Sequence, residues 1–364
     1  MADKTRLYWG KNVSHGTLPP GDNSTIGTNT WDQFKVLLDR SVTAGKLSSQ
    51  DVVSTYPLIY TGTAAYAGGV LAPNGDIHFV PFGADRGQKI DINGTVSTYS
   101  LVYTATYAYI GGILAPNGDI HFVPRNAAVG QKVDINGTVS TYSLLYTGGT
   151  AYIGGVLAPN GDIHFVPGSA TVGQKINING NVSTYSLIRN TVQFGGVLAP
   201  NGDIYFVPYD GTIGQKIDVD EIVSTYSIIT DGYIGGTLAP NGDIHFVPSN
   251  VTVGQKVDIN GVVSTYSLVY TTLYAFAGGV LAPNSDIHFV PFNSPVGQKI
   301  NSAGVVSTYS LIHTPAVAYF GGVLAPNGDI HFVPYNATVG QKISTQSTLP
   351  FSKGVCCSPF LNKF

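Results

Sequence analysis

The chain has 364 residues, room for one large domain or two ordinary ones. Charged residues make up 11% of it, against about 25% in an ordinary soluble protein, and a net charge of -3 excludes the basic footprint of a nucleic-acid binder. A chain this poor in charge must keep most of its strands out of water. With Glu221 as its one glutamate, it cannot build a site from several buried glutamates.

Residues 1–52 differ in kind from the rest of the chain, since both tryptophans, Trp9 and Trp31, lie there. Pro19-Pro20-Gly21-Asp22-Asn23-Ser24 reads as a linker. Thr30 and Gln33 are spaced as a capping box, and Trp31, Phe34, Leu37, Leu38 and Val42 succeed them at helical spacing with Gly45 at the end. This predicts one amphipathic helix over about 31–44 with no helical partner in its own chain. Such an arm, with Trp9, Trp31, Phe34 and Leu38 as contact residues, either packs on the rest of the chain or docks on another protein. The first residues, Met1 to Leu7, lack the apolar stretch of a secretion signal, and no run of 18 apolar residues occurs, so no membrane insertion is expected.

From residue 53 to about 343 the chain repeats. Gly-Gly-Val-Leu-Ala-Pro-Asn-Gly-Asp-Ile-His-Phe-Val-Pro begins at Gly68, and versions begin at Gly111, Gly154, Gly195, Gly235, Gly278 and Gly321, spaced by 43, 43, 41, 40, 43 and 43. Gly-Gln-Lys and then Val-Ser-Thr-Tyr separate the copies. In the second copy the expected strands are Tyr109–Ala115, Ile120–Val123, Gln131–Ile135 and Val139–Tyr146, punctuated by Asn117-Gly118 and Asn136-Gly137 turns. Four short strands per unit of about 40 residues is the pattern of a β-propeller blade, and seven copies predict seven blades. Val-Ser-Thr-Tyr occurs first at Val53, before any Gly-Gly, and the last Gly-Gly unit lacks one. The N-terminal strand 53–60 should therefore complete the last blade and close the ring. The expected fold is all-β: an arm over 1–52, a seven-bladed propeller over 53–343 and a tail over 344–364 that carries Cys356 and Cys357.

The repeats are Kelch-like and WD-repeat-like in architecture only. In wording, Leu-Ala-Pro-Asn-Gly-Asp-Ile-His-Phe-Val-Pro resembles repeats of tailed-phage virion proteins, including phages of marine bacteria. That resemblance covers 53–343. It implies a virion component, a decoration, fibre or tail-associated protein, held to other virion proteins or to itself by the N-terminal arm.

Compared with one another, the repeats vary in two loops, after Val-Pro and before Gly-Gly, which leave an up-and-down blade at the same end. One face should be uniform and the other individual. Tyr107, Arg125, Tyr209, Tyr274, Phe292 and Tyr335 are the candidate contact residues of the individual face, with Tyr319, Arg86 and Arg189 on the same loops. A lectin-like module reading host-surface glycan, or a cellular scaffold for protein partners, would use the same residues.

Six histidines share one repeat position (His78, His121, His164, His245, His288, His331), with Tyr205 in the seventh. On separate blades they stand too far apart for one ion, so they are expected to supply a hydrogen bond and a packing surface at blade contacts. The repeated aspartates and lysines, such as Asp119 and Lys132, are expected to pair. Asn93-Gly-Thr and Asn136-Gly-Thr are expected to be hairpin turns. The acidic-aromatic box of sialidases, the nucleophile elbow and the phosphate loop are all absent, so no catalysis, cofactor or metal is expected.

Overall fold

The computed structural model describes residues 51–345. The helix over 31–44, with Trp9, Trp31, Phe34 and Leu38, lies outside the described residues, as do Cys356 and Cys357.

The described residues form seven antiparallel four-stranded sheets, built from strands β1 to β28 in chain order. Blade one runs outward from β2 (Tyr66–Leu71) through β3 (Ile77–Pro81) and β4 (Arg86–Ile90) to β5 (Val96–Ser100). Blade seven consists of β26 (Tyr319–Leu324), β27 (Asp329–Pro334), β28 (Val339–Ser344) and, as its outer strand, β1 (Val52–Pro57). Val53 lies opposite Ile343 and Tyr56 opposite Gly340. Inner strands of successive blades touch, and β26 meets β2, so the ring is closed. Every residue of β3 is buried, because neighbouring blades cover both of its faces, whereas β5 is half exposed.

The Gly-Gly pair answers to crowding at the axis. Gly68 has φ near +80°, at a bulge between Tyr66 and Gly69, and a Cβ there would lie 2.7 Å from Gly111 Cα. At Gly321 a Cβ would lie 3.0 Å from Gly68 Cα, so the same approach is made where the ring closes.

Each residue of Gly-Gln-Lys on the third strand has its own task. The glycine admits a ring: a Cβ on Gly87 would lie 2.1 Å from the ring of Tyr99. The tyrosine hydroxyl then meets the histidine two strands away, as at His78 Nδ1 with Tyr99 (3.2 Å) and His121 Nδ1 with Tyr142 (3.3 Å). In blade seven the partner of His331 is Tyr56 of β1, at 3.2 Å, which ties in the closing strand. In blade four, where Tyr205 replaces the histidine, Tyr226 donates to the Phe206 carbonyl instead. The histidine bond thus joins two strands of the same blade. The lysine pairs with the repeat aspartate, as Lys89 with Asp76 at 2.6 Å and Lys132 with Asp119 at 2.6 Å.

The glutamine joins blades, a role that the repeat pattern does not reveal. Fully buried Gln131 of blade two accepts hydrogen bonds from the amides of Val102 (3.0 Å) and Tyr103 (2.8 Å) as the chain arrives from blade one. Gln88, Gln174, Gln215, Gln255, Gln298 and Gln341 do the same in the other blades. This clasp corrects the strand ends. Strand four of the second repeat stops at Ser143, short of Tyr146, because the amides of Leu145 and Tyr146 turn to Gln174. Likewise β1 stops at Pro57, and Ile59 and Tyr60 bond Gln88. Strand three is Val129–Val133, two residues earlier than expected, since Asp134 opens the following turn. Asn93 and Asn136 do sit in such turns, where Asp91 and Asp134 accept from the backbone.

Both networks have measurable consequences. Gln131→Leu keeps the volume but strands two backbone donors, so unfolding free energy should fall by about 2 kcal/mol or more in denaturant titration. Burial, and then the neighbouring lysine, lower the pKa of His78, His121, His164, His245 and His331 to about 4, and of His288 to about 3. The unfolded chain therefore takes up protons that the fold refuses. Stability is full above about pH 6.5 and is lost as pH falls toward 4, by up to roughly 1 kcal/mol per pH unit for each histidine. Thermal unfolding across this range should show a steep fall, and His121→Gln should make it shallower.

Candidate functional site: the loop face

The turns after the first and third strands make one face of the ring, and the loops after the second and fourth make the other. The turn face is uniform. Its clefts between blades are small, about 130 Å³ between blades seven and one and about 80 Å³ between blades one and two. Pockets that enclose small molecules are several times larger.

On the loop face, apolar side chains fill the mouth of the ring. The residue before Gly-Gly is Ala67, Ile110, Ile153, Phe194 and Phe320 in blades one, two, three, four and seven. These residues pack in one cluster with Phe82 and Tyr335. Phe194 and Phe320 meet with centroids 5.9 Å apart although their blades are not neighbours, so the cluster spans the mouth. The sequence reading missed this plug. The signal was a position on the innermost strand that is always apolar but varies in size, as filling a shared space requires.

A row of rings extends from the plug. Tyr107 stacks on Phe82 at 4.7 Å, and Phe82 meets Tyr335 at 5.6 Å. Tyr335 meets Phe292 at 5.8 Å and Phe320 at 5.9 Å. On the far side Phe194 meets Tyr209 at 5.9 Å, and Tyr274 beside Tyr209 helps burial to raise the Tyr209 pKa. The Arg125 guanidinium lies 5.3 Å from the Phe82 centroid and 5.9 Å from that of Tyr107. The structure thus brings Tyr107, Arg125, Tyr209, Tyr274, Phe292 and Tyr335 onto one surface. Tyr107 and Tyr274 are the open ends, 41% and 43% exposed, and both have positive φ. Positive φ is uncommon outside glycine and is held here by hydrogen bonds between loops, such as Tyr274 N to Ser249 O at 2.7 Å.

Electrostatics single out Arg125. Among the described residues every lysine is in an ion pair, and so is Arg86, with Asp85. Arg125 is in none, and burial against the rings lowers its pKa. Tyr335 is raised by burial and by Tyr107, which its contact with Arg125 partly offsets. Close to Tyr274, the hydroxyl of Ser249 is 1% exposed and has no hydrogen-bond partner.

Of the other residues expected on these loops, one is in the core and two make contacts apart from the row. Tyr319 is fully buried in blade seven, its hydroxyl donating to Val339 O at 3.1 Å. Arg86 is taken up by Asp85 and lies over Tyr60, at 5.2 Å. Arg189 occupies the place of Tyr60 in its own blade connection, where its backbone amide bonds Gln215. His313 fills the same place before blade seven and packs edge-on to Tyr319. Among the described residues one group has ligand atoms close enough for a metal, Asp162, His164 and Glu221. The Lys175 ammonium bonds both of those carboxylates and supplies the countercharge.

No family model matches the chain, and no curated protein matches its sequence. Solved structures match its fold. A streptogramin B lyase is similar with a TM-score of 0.73 at 18% identity, over 82% of this chain and 99% of that one. Virginiamycin B lyase from Staphylococcus aureus is similar with a TM-score of 0.72 at 16% identity, over 81% and 99%. The WD40 propeller domain of Doa1 is similar with a TM-score of 0.60 at 14% identity, over 79% and 98%. At these identities the likeness shows the fold alone. It also corrects the expectation that the chain is not an enzyme. Two of these rings are lyases, so this architecture does not argue against catalysis. The fold is a seven-bladed β-propeller, shared by lyases and a WD40 domain.

Proposed function

We propose that the chain is a recognition propeller whose ligand-contacting surface is the aromatic and arginine row of the loop face. The observation that carries this reading is Arg125, a guanidinium lying on Phe82 and Tyr107 with no acidic partner among the described residues. Tyr and Arg on loops over a rigid scaffold are the residue types that dominate binding energy. The loop face departs from the seven-fold pattern while the turn face keeps it, which is what one asymmetric ligand would select. The setting we infer is a phage particle, with residues 1–52 as the attachment arm. Its support is the wording of the repeats and the apolar spacing of the arm.

Tyr107 is exposed and outside the blade core, so Tyr107→Ala should leave the unfolding midpoint unchanged. It should weaken binding about tenfold or more to whatever ligand a glycan and peptide array identifies. Ile135→Ala, on the turn face, should change neither. If Tyr107→Ala binds as the parent does, the loop-face reading fails. For the arm, light scattering should give a defined oligomer for the full chain and a monomer for residues 51–364. Two monomers would remove the attachment role.

A further inference from the structure

Taking the loop face as the binding surface, we infer that its ligand is an acidic saccharide, a short run of pyranose rings of which one places a carboxylate on Arg125. Three observations on the row carry this.

The first is charge. An unpaired guanidinium, half covered by rings and already short of water, gains most from a planar anion that it can grip with two parallel N–H donors. Arg125 is the unpaired guanidinium that lies on the rings of the row. Among the described residues the other arginine outside an ion pair is Arg189, whose Nε is buried. A polyphosphate or nucleic acid needs several cations in a line, and the row offers one. One carboxylate matches one arginine.

The second is the surface itself. From Tyr107 through Phe82, Tyr335, Phe320 and Phe194 to Tyr209, ring follows ring at centroid distances of 4.7 to 5.9 Å; Phe82 is buried and supports Tyr107, and the other rings are partly exposed. That length exceeds one pyranose. Aromatic faces carry negative potential and attract the weakly positive C–H face of a sugar. Tyr107 stands at one end and Tyr209 with Tyr274 at the other, and their hydroxyls suit a ligand rich in hydroxyls.

The third is the loop backbone, which argues against an extended acidic peptide. Ala108 N bonds Phe82 O (3.1 Å) and Arg125 N bonds Ala108 O (2.8 Å). Ala318 N bonds Phe292 O (2.9 Å) and Tyr335 N bonds Ala318 O (2.9 Å). These loops bond to one another, so a peptide strand finds no ladder to join. A saccharide needs only ring faces and side chains.

The test is calorimetric titration of the full chain with three probes: a hexamer of galacturonic acid, its methyl ester, and a hexamer of glutamate. The hexauronate should bind, the ester at least tenfold more weakly, and the peptide not measurably. Binding should weaken as salt rises. Arg125→Ala should lose tenfold or more, and Arg125→Lys, which keeps the charge without the fork or the stacking, should recover only part. Thermal unfolding of both variants controls for folding. If the ester binds as well as the acid and Tyr107→Ala abolishes both, the acidic inference is overturned and the loop-face reading stands. The same holds if the peptide is the ligand that binds and depends on Arg125. If the hexauronate binds and neither Arg125 nor Tyr107 matters, both are overturned. Failure of all three probes to bind overturns the inference alone.

Discussion

Seven inner strands converge on one axis, and at five of the seven blade contacts the backbones come so close that only the first glycine of the Gly-Gly pair fits. At Gly68 the neighbouring backbone occupies the space of a Cβ, and the positive φ bulges the strand. Once the inner strands meet there, the blades fan outward and their second strands are covered on both sides. That is why Ile-His-Phe-Val-Pro can be buried throughout and why the chain carries so little charge. The apolar residue just before the glycine then reaches the mouth of the ring on the loop face, and in five blades these residues fill one shared space.

Burial on both faces leaves each blade with polar groups to satisfy internally. The repeat does this with a small set of side chains: histidine to tyrosine, lysine to aspartate, glutamine to the incoming backbone. All are anchored to the strands or to the turn face, where the repeat aspartate and lysine pair in every blade. Two acidic departures there, Glu221 and Asp51, still serve the scheme, since each reaches the lysine of the preceding blade. The loop face holds fewer such obligations. Its backbone is fixed by bonds between loops, so the side chains after Val-Pro can range from Gly168 and Ser249 to Phe82, Arg125 and Tyr209 without disturbing the ring.

Similarity to lyases and to a WD40 domain fits this division. A scaffold whose stability resides in strands and turns can carry unrelated chemistry on its loops. What distinguishes this chain lies in the loop residues, and there the arginine without a partner is the group that the fold does not need.

Much of this was legible in the residues. Periodicity and turn chemistry are local, so the repeat alone determined the blade, the number of blades and the closure by an N-terminal strand. It also showed which loops share a face, because alternate connections in an up-and-down sheet leave at the same end. Strand ends were less legible: the amides of Leu145 and Tyr146 turn to Gln174, some 28 residues away, and no local pattern encodes that. Tyr319 and Tyr335 look alike in sequence, yet one is in the core and the other on the surface. Only the tertiary structure decided that residues spread from Phe82 to Tyr335 form one aromatic row, since it is ring closure that brings the first and last blades side by side. It decided the charge balance of Arg125 in the same way, because whether a guanidinium is paired depends on what the other blades place beside it.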